Sequence, residues 1–242
     1  MFNIFNVRKS MAFVFVLSLL APSFANAQAV WANYSFNFKP GTERKVEQAV
    51  RTYFEGNASF EGKVFFNRQT INGANPATHN IAILQPSMTA WENGLSRTRT
   101  DKKFAAFAQT ISQNGVAVDQ SLLTHVKGYG KIKEEGAKFM TFALSVSNPQ
   151  KLIKAFDKAF AKSGSWALSG PLDVFAITAG GAPSISHIVV VATDDFSTFQ
   201  KYLSSENYLE MKKDLDRIRK IQGIGMVENI VFQGPFDINS TR

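Results

Sequence analysis

Apolar positions along this chain recur with two periods, and the same pattern is written twice. In residues 45–54 (KVEQAVRTYF), Val46, Ala49, Val50, Tyr53 and Phe54 fall at i, i+3, i+4, i+7 and i+8, the stripe of an amphipathic helix. Residues 151–160 (KLIKAFDKAF) repeat it 106 positions later with Leu152, Ala155, Phe156, Ala159 and Phe160. Asn148-Pro149 supplies an N-cap followed by proline at the first helical position, and Pro40-Gly41-Thr42 plays that part before the first helix. A second match has an offset of 108: residues 78–84 (THNIAIL) and 186–192 (SHIVVVA) are short β-branched runs that read as buried strands. Each leads to a helix start, at Ser87 or at Asp194-Asp195, and then to an aromatic-bearing helix with Trp91 and Leu95 or with Phe199 and Leu203.

The predicted order in each copy is strand, helix, strand, strand, helix, strand. The first copy runs Val30–Phe38, helix Thr42–Phe54, Gly62–Thr70, His79–Leu84, helix Ser87–Ile111 broken near Ser96–Thr100, and Leu122–Val126. The second runs Lys138–Ser147, helix Pro149–Ala161, Leu172–Thr178, His187–Thr193, helix Phe196–Ile221 bent near Ser204–Asn207, and Val227–Gln233. This is the split βαβ pattern of a ferredoxin-like unit. The expected organisation is a leader over 1–27, a first α+β unit over 28–130, a linker over 131–137 in the Gly- and Lys-rich stretch Gly128–Gly136, and a second unit over 138–242. Helices cover one face of each sheet, so the other apolar face must be buried elsewhere. Two such faces in one chain can cover each other, which predicts a barrel-like core with pseudo-twofold symmetry.

Tyr34-Ser35-Phe36-Asn37-Phe38-Lys39-Pro40-Gly41-Thr42 and the later run Phe196–Leu209 resemble the dimeric α/β-barrel proteins, including the stress-responsive A/B barrel group. The resemblance implies tandem ferredoxin-like units with antiparallel sheets packed face to face as a pseudo-dimeric α/β barrel. It also implies kinship with cofactor-independent monooxygenases, cyclases and haem-linked enzymes, among members with no known activity. Enzymes of the family often carry a histidine in the broken second helix. This chain has Tyr208 near that place in the second copy and Arg99-Thr100 in the first.

Composition refines this picture at the N-terminus. Arg8 and Lys9 precede the apolar run Met11–Ala21, and Ala25-Asn26-Ala27 is a small-x-small site, the order of a secretory signal peptide. The run has 11 residues against the roughly 20 that span a bilayer, so a leader cleaved near Ala27 and a periplasmic or secreted mature chain are expected. No transmembrane segment follows. The chain has no Cys, which excludes disulfides, thiol nucleophiles and Cys-based metal sites. Its net charge is +8, with basic groups at Arg97, Arg99, Lys102 and Lys103 and along the last helix at Lys212, Lys213, Arg217, Arg219 and Lys220. Interspersed Asp214 and Asp216 make that helix a solvated face, and export argues against nucleic acid as partner.

Three histidines carry the candidate chemistry. His79 and His187 begin matching strands and, with Tyr208, are the candidate catalytic groups. His125 has Ile230 as its sequence counterpart and, with Trp91 and Phe199, is a candidate ligand-binding residue. There is no metal cluster, no Gly-x-Ser-x-Gly, no phosphate loop and no cofactor motif. With 22 Phe and no catalytic motif, the main expectation is a non-catalytic exported monomer binding a small apolar or aromatic molecule or an envelope protein. The alternatives are a cofactor-independent oxygenase or cyclase of the barrel family, and an envelope module working through its basic helix face.

Overall fold

Six helices and eight strands alternate among the residues described by the computed structural model, which are 28–131, 136–161 and 171–241. The front half contains β1 (Val30–Phe38), α1 (Glu43–Glu55), β2 (Lys63–Ile71), β3 (His79–Gln85), α2 (Met88–Thr98), α3 (Lys102–Asn114) and β4 (Gly115–Tyr129). The back half contains β5 (Lys138–Val146), α4 (Pro149–Ala161), β6 (Leu172–Gly180), β7 (His187–Thr193), α5 (Phe196–Leu203), α6 (Glu206–Leu215) and β8 (Arg219–Gln233). The expected leader and residues 132–135 of the expected linker lie outside the described residues. No helix among the described residues is long and apolar enough to cross a membrane.

The strands close into one antiparallel barrel in the order β1-β3-β2-β8-β5-β7-β6-β4. Within it the halves have the same order, β4-β1-β3-β2 and β8-β5-β7-β6, as a pair of ferredoxin-like units requires. The seams are hydrogen-bonded ladders, β2 with β8 and β4 with β6, so neither sheet keeps a free edge. The α+β class and the barrel therefore follow the expectation.

Rung by rung the halves correspond. Ser35 pairs with Asn80 as Ala143 pairs with Ile188, and Asn67 pairs with Asn80 as Phe175 pairs with Ile188, an offset of 108 throughout. Trp31 pairs with Leu123 as Phe139 pairs with Val227, which sets the last strands 104 apart. His125 thus corresponds to Asn229, not to Ile230 as the sequence matching suggested.

Two boundaries differ from expectation for one reason. β4 and β8 each run 15 residues and begin well before Leu122 and Val227. Their leading segments are largely exposed and mix glycine, polar and apolar residues without the alternation that marks a strand. Backbone pairing holds them: Gly115–Asp119 lies against Phe38–Ser35, and Arg219–Ile221, expected as helix, lies against Val146–Leu144. Gly115 is required at its place, since a Cβ there would sit 2.3 Å from the Phe38 ring.

The helices cover the outside of the barrel. The α1 stripe buries Val46, Val50, Tyr53 and Phe54 against Phe38, Val64 and Phe66 of the sheet and Ile111 of α3. Its back-half counterpart buries Leu152, Ala155 and Phe156 of α4 with Phe199, Tyr202, Tyr208, Met211 and Leu215 of α5 and α6. Ser87 caps α2 by accepting from the Ala90 N–H at 3.1 Å, and Asp195 caps α5 by accepting from the Thr198 N–H at 2.9 Å. These equivalent caps carry the 108 offset into the second helices.

Candidate active site

The offset places Gly94 of α2 opposite Tyr202 of α5. In the back half the Tyr202 ring lies 4.8 Å from that of Tyr208, is 2% exposed and fills the space between helices and sheet. In the front half Phe104 occupies the Tyr208 position, but at Gly94 there is no side chain to meet it. The result is a cavity of about 410 Å³ between α1, α2, α3 and the outer face of β1 and β3. The space between α4 and α6 amounts to about 20 Å³.

Aromatic residues form most of the wall. Tyr53 stacks on Phe107 with ring centroids 5.1 Å apart, and Phe54 meets Phe60 edge-on at 4.8 Å. Phe36 and Trp91 complete the apolar surface with Ile81 and Ile83. A few polar groups break it, as is usual in sites for small molecules. On the sheet side the Trp91 indole faces the Tyr34 hydroxyl. Burial outweighs the influence of Trp91 and holds the Tyr34 pKa above its usual value, so this phenol stays protonated. Gln85 of β3 also lines the wall and is 4% exposed; its Nε2 lies on the Gly94 side, while its Oε1 is turned to Gly62, sealed off with no hydrogen-bond partner among the described residues.

A second polar group forms the rim at the break between α2 and α3. Tyr53 faces the Asp101 carboxylate and the Asn57 amide, with Arg97 close by. Burial first, and then the Asp101 charge, push the Tyr53 pKa up, while Asn57 and Arg97 act in the opposite direction. Asp101 also caps α3, its Oδ1 accepting from the Lys103 N–H at 2.8 Å. Asp101 is the one acid and Arg97 the one base among the residues lining the cavity.

Of the residues singled out from sequence, Trp91 lines this cavity. Phe199 and Tyr208 are core residues of the packed back half. His79 lies on the outer face of β3, stacked on Phe66 at 5.3 Å, with Nδ1 2.9 Å from the Thr78 hydroxyl and Nε2 3.5 Å from Glu43. His187 makes the same local contact, Nδ1 to the Ser186 hydroxyl at 2.9 Å. Each hydroxyl also receives a backbone N–H from the neighbouring strand, Phe38 or Val146, so both pairs anchor strand ends. His125 faces the barrel interior and bonds Asp173 at 2.9 Å. The structure brings none of the three histidines, nor Tyr208, into the cavity. Sequence reasoning missed Gly94, Gln85, Tyr34, Tyr53, Asp101 and Arg97. One signal was present: in the 108 offset, Gly94 is a deletion of the ring supplied by Tyr202.

The two strand-end histidines set a pH dependence. Burial lowers the pKa of His79 and of His187; at His79 the Glu43 charge opposes this and Arg68 adds to it. The unfolded chain therefore takes up protons at about pH 6.5 that the folded chain refuses, and stability falls as the pH drops below that value. Melting curves between pH 8 and pH 5 are expected to show the decline, and His187→Gln to flatten its share. A melting temperature independent of pH across that window contradicts the assignment.

The solved structures of similar shape include a candidate monooxygenase of Fusobacterium nucleatum subsp. nucleatum, with a TM-score of 0.62 and 11% identity over 88% of this chain and 97% of that one. A second candidate monooxygenase, from Lactobacillus acidophilus, has a TM-score of 0.60 and 7% identity over 86% and 96%. An anthrone oxidase-like protein has a TM-score of 0.58 and 11% identity over 86% and 94%. No protein-family model matches the sequence, and no curated protein matches it. At these identities the likeness shows the dimeric α/β-barrel fold. It also corrects the expectation of a non-catalytic binder that is not an enzyme: structures sharing this architecture over nearly their whole length carry oxygenase and oxidase names, which favours the enzyme alternative. The absence of a motif misled because the cavity's polar groups come from separate elements with no fixed spacing.

Proposed function

We propose that the front-half cavity is the active site of a cofactor-independent oxygenase acting on a flat, electron-rich aromatic substrate of the phenol or anthrone class. The observation that carries this reading is an aromatic-walled space of about 410 Å³ lined by one carboxylate, one guanidinium and the Tyr34 phenol. No His, Met or Cys lines it, so the side chains that most often hold haem iron are missing from its walls, and no step is routed through a haem.

Each group then has a task. The apolar walls sandwich the rings, and the Tyr34 hydroxyl anchors the substrate's oxygen on the sheet side. Asp101 takes a proton from the acidic C–H or O–H at the rim. Arg97 stabilises the anion so formed, whose charge spreads over the ring system. Such an anion is electron-rich enough to react with dissolved dioxygen directly. The balance is one O₂ per substrate: a ring CH₂ becomes C=O with one oxygen atom, the other leaves as water, and Asp101 returns its proton to that water.

Oxygen uptake and product mass across a panel of anthrones and naphthols test the proposal. Asp101→Asn keeps a capping oxygen for α3 and removes the base, so kcat is expected to fall about 10²–10⁴-fold while substrate affinity changes little. Unchanged turnover in that variant overturns the assignment of the base. Neither binding nor oxygen uptake anywhere in the panel overturns the function.

The corresponding rungs and the shared strand order support a further reading, that two family-type units were fused so that one chain makes the barrel other members build from two. An exported chain acting as a monomer fits that arrangement together with the expected leader.

A further inference from the structure

The same two strands that wall the outer cavity turn their alternate residues into the barrel. There a second space of about 290 Å³ opens between the β2–β3 loop, at Asn72 and Asn75, and the β6–β7 loop, at Gly181 and Ile185. Its floor is Trp31, Phe65, Phe139 and Phe175, with the Trp31 ring edge-on to Phe175 at 4.8 Å and stacked on Phe65 at 5.4 Å. Its front wall is polar and its back wall is isoleucine.

The polar wall is ordered by its own hydrogen bonds. Gln69 Nε2 donates to Asn80 Oδ1 at 3.0 Å, Asn80 Nδ2 to Asn33 Oδ1 at 2.6 Å, and Asn33 Nδ2 to Ser35 Oγ at 3.3 Å. Below them Asn229 Nδ2 donates to Asn67 Oδ1 at 2.8 Å. The chain of bonds fixes each amide and ends in groups with capacity left over: the Gln69 carbonyl, the Ser35 hydroxyl proton and the Asn67 NH₂ have no partner among the described residues. Asn67 is 4% exposed, and the Trp31 indole N–H on the floor is buried with no partner either. Interiors of small barrels are ordinarily filled with side chains, whereas here these polar groups open onto a chamber.

The barrel itself does not need these amides, because the back half builds the same rungs without them. The counterparts of Asn33, Ser35, Asn67, Gln69 and Asn80 are Thr141, Ala143, Phe175, Ile177 and Ile188. Polarity is thus placed on one wall, above an aromatic floor, facing Ile177 and Ile188.

We infer that this chamber is a second ligand site, separate from the outer cavity, and that it takes a neutral saccharide of one or two rings. Asp119 is the one charged residue lining the chamber and no base does, which disfavours anions. Its volume is near the lower end of ligand pockets, roughly 300–1,000 Å³. Hydroxyls both donate and accept, matching a wall that ends in a carbonyl on one side and in NH₂ and OH groups on the other. The C–H face of a sugar ring lies well on aromatic rings and against isoleucine. A flat heterocycle presents its hydrogen bonds in one plane, whereas these groups come from β1, β2 and β3 around a curved wall.

The tryptophans allow the two sites to be read apart. Trp31 floors the chamber, Trp91 walls the outer cavity, and Trp91→Phe with Trp166→Phe leaves Trp31 as the reporter. Titration of that full-length variant with glucose, galactose, N-acetylglucosamine and maltose is expected to give a saturable Trp31 fluorescence change for at least one sugar. Adding Asn33→Thr with Asn80→Ile, which copies the back half and removes an amide pair as a unit, is expected to weaken that binding at least tenfold with cooperative melting retained. Should that addition melt without cooperativity, Ser35→Ala, the milder copy of Ala143, takes its place and is expected to weaken binding at least threefold. Absence of any response, a response that survives these substitutions in folded protein, or a response to purines in place of sugars overturns the assignment. Loss of oxygenase activity in the outer cavity leaves these readings unaffected.

Discussion

Gly94→Tyr is expected to abolish turnover of aromatic substrates, by more than about 100-fold, while the protein stays folded and melts at the same or a higher temperature. The substitution copies Tyr202 into the front half. A Cβ at Gly94 meets nothing nearer than Gln85 Nε2 at 3.8 Å, so the backbone accepts it, and replacing a glycine inside a helix gains about 0.5–1 kcal/mol. The ring then has only the cavity to enter, where it takes the place of the substrate beside Phe104. Gly94→Ala separates the two effects: it shares the helix gain, leaves the space open and is expected to keep activity. Full activity in the tyrosine variant would place the chemistry outside this cavity.

The largest loss of stability is expected inside the barrel. His125 and Asp173 are 6% and 2% exposed and bond at 2.9 Å, where their counterparts are Asn229 and Phe65. His125→Leu removes the imidazole from a buried carboxylate and is expected to cost about 3–5 kcal/mol in urea unfolding. His125→Asn with Asp173→Phe, which copies the Asn229 and Phe65 of the β2–β8 seam, is expected to recover a large part of that. If the single and double variants lose the same amount, the two residues are not coupled, and the bond contributes little to holding the end of the barrel together.

The expectation of a binder without chemistry came from searching for motifs, and the structure shows why that search returned nothing. In the sequence Arg97 stood as one member of a basic cluster, while Asp101 fell just after the expected helix break at Ser96–Thr100 and Gln85 just after the expected strand His79–Leu84. Their meaning depends on α2, α3 and β3 meeting around one space. His79 and His187 attracted attention through their symmetry, and that symmetry proves to be a property of strand ends, each ring held by the hydroxyl before it.

What the sequence determined by itself was the repeated framework: helices from the 3.6-residue stripe at Val46–Phe54 and Leu152–Phe160, buried strands from the runs after His79 and His187, and a doubled order that could hide its apolar faces only by closing on itself. These features are local and periodic, so they survive without knowledge of neighbours. Only the tertiary structure decided the long exposed starts of β4 and β8, which exist because β1 and β5 offer them backbone partners. It also decided where the halves part company. A missing ring at Gly94 becomes a cavity, and asparagines on alternate strand positions become a chamber wall, because packing is a sum over residues far apart in the chain.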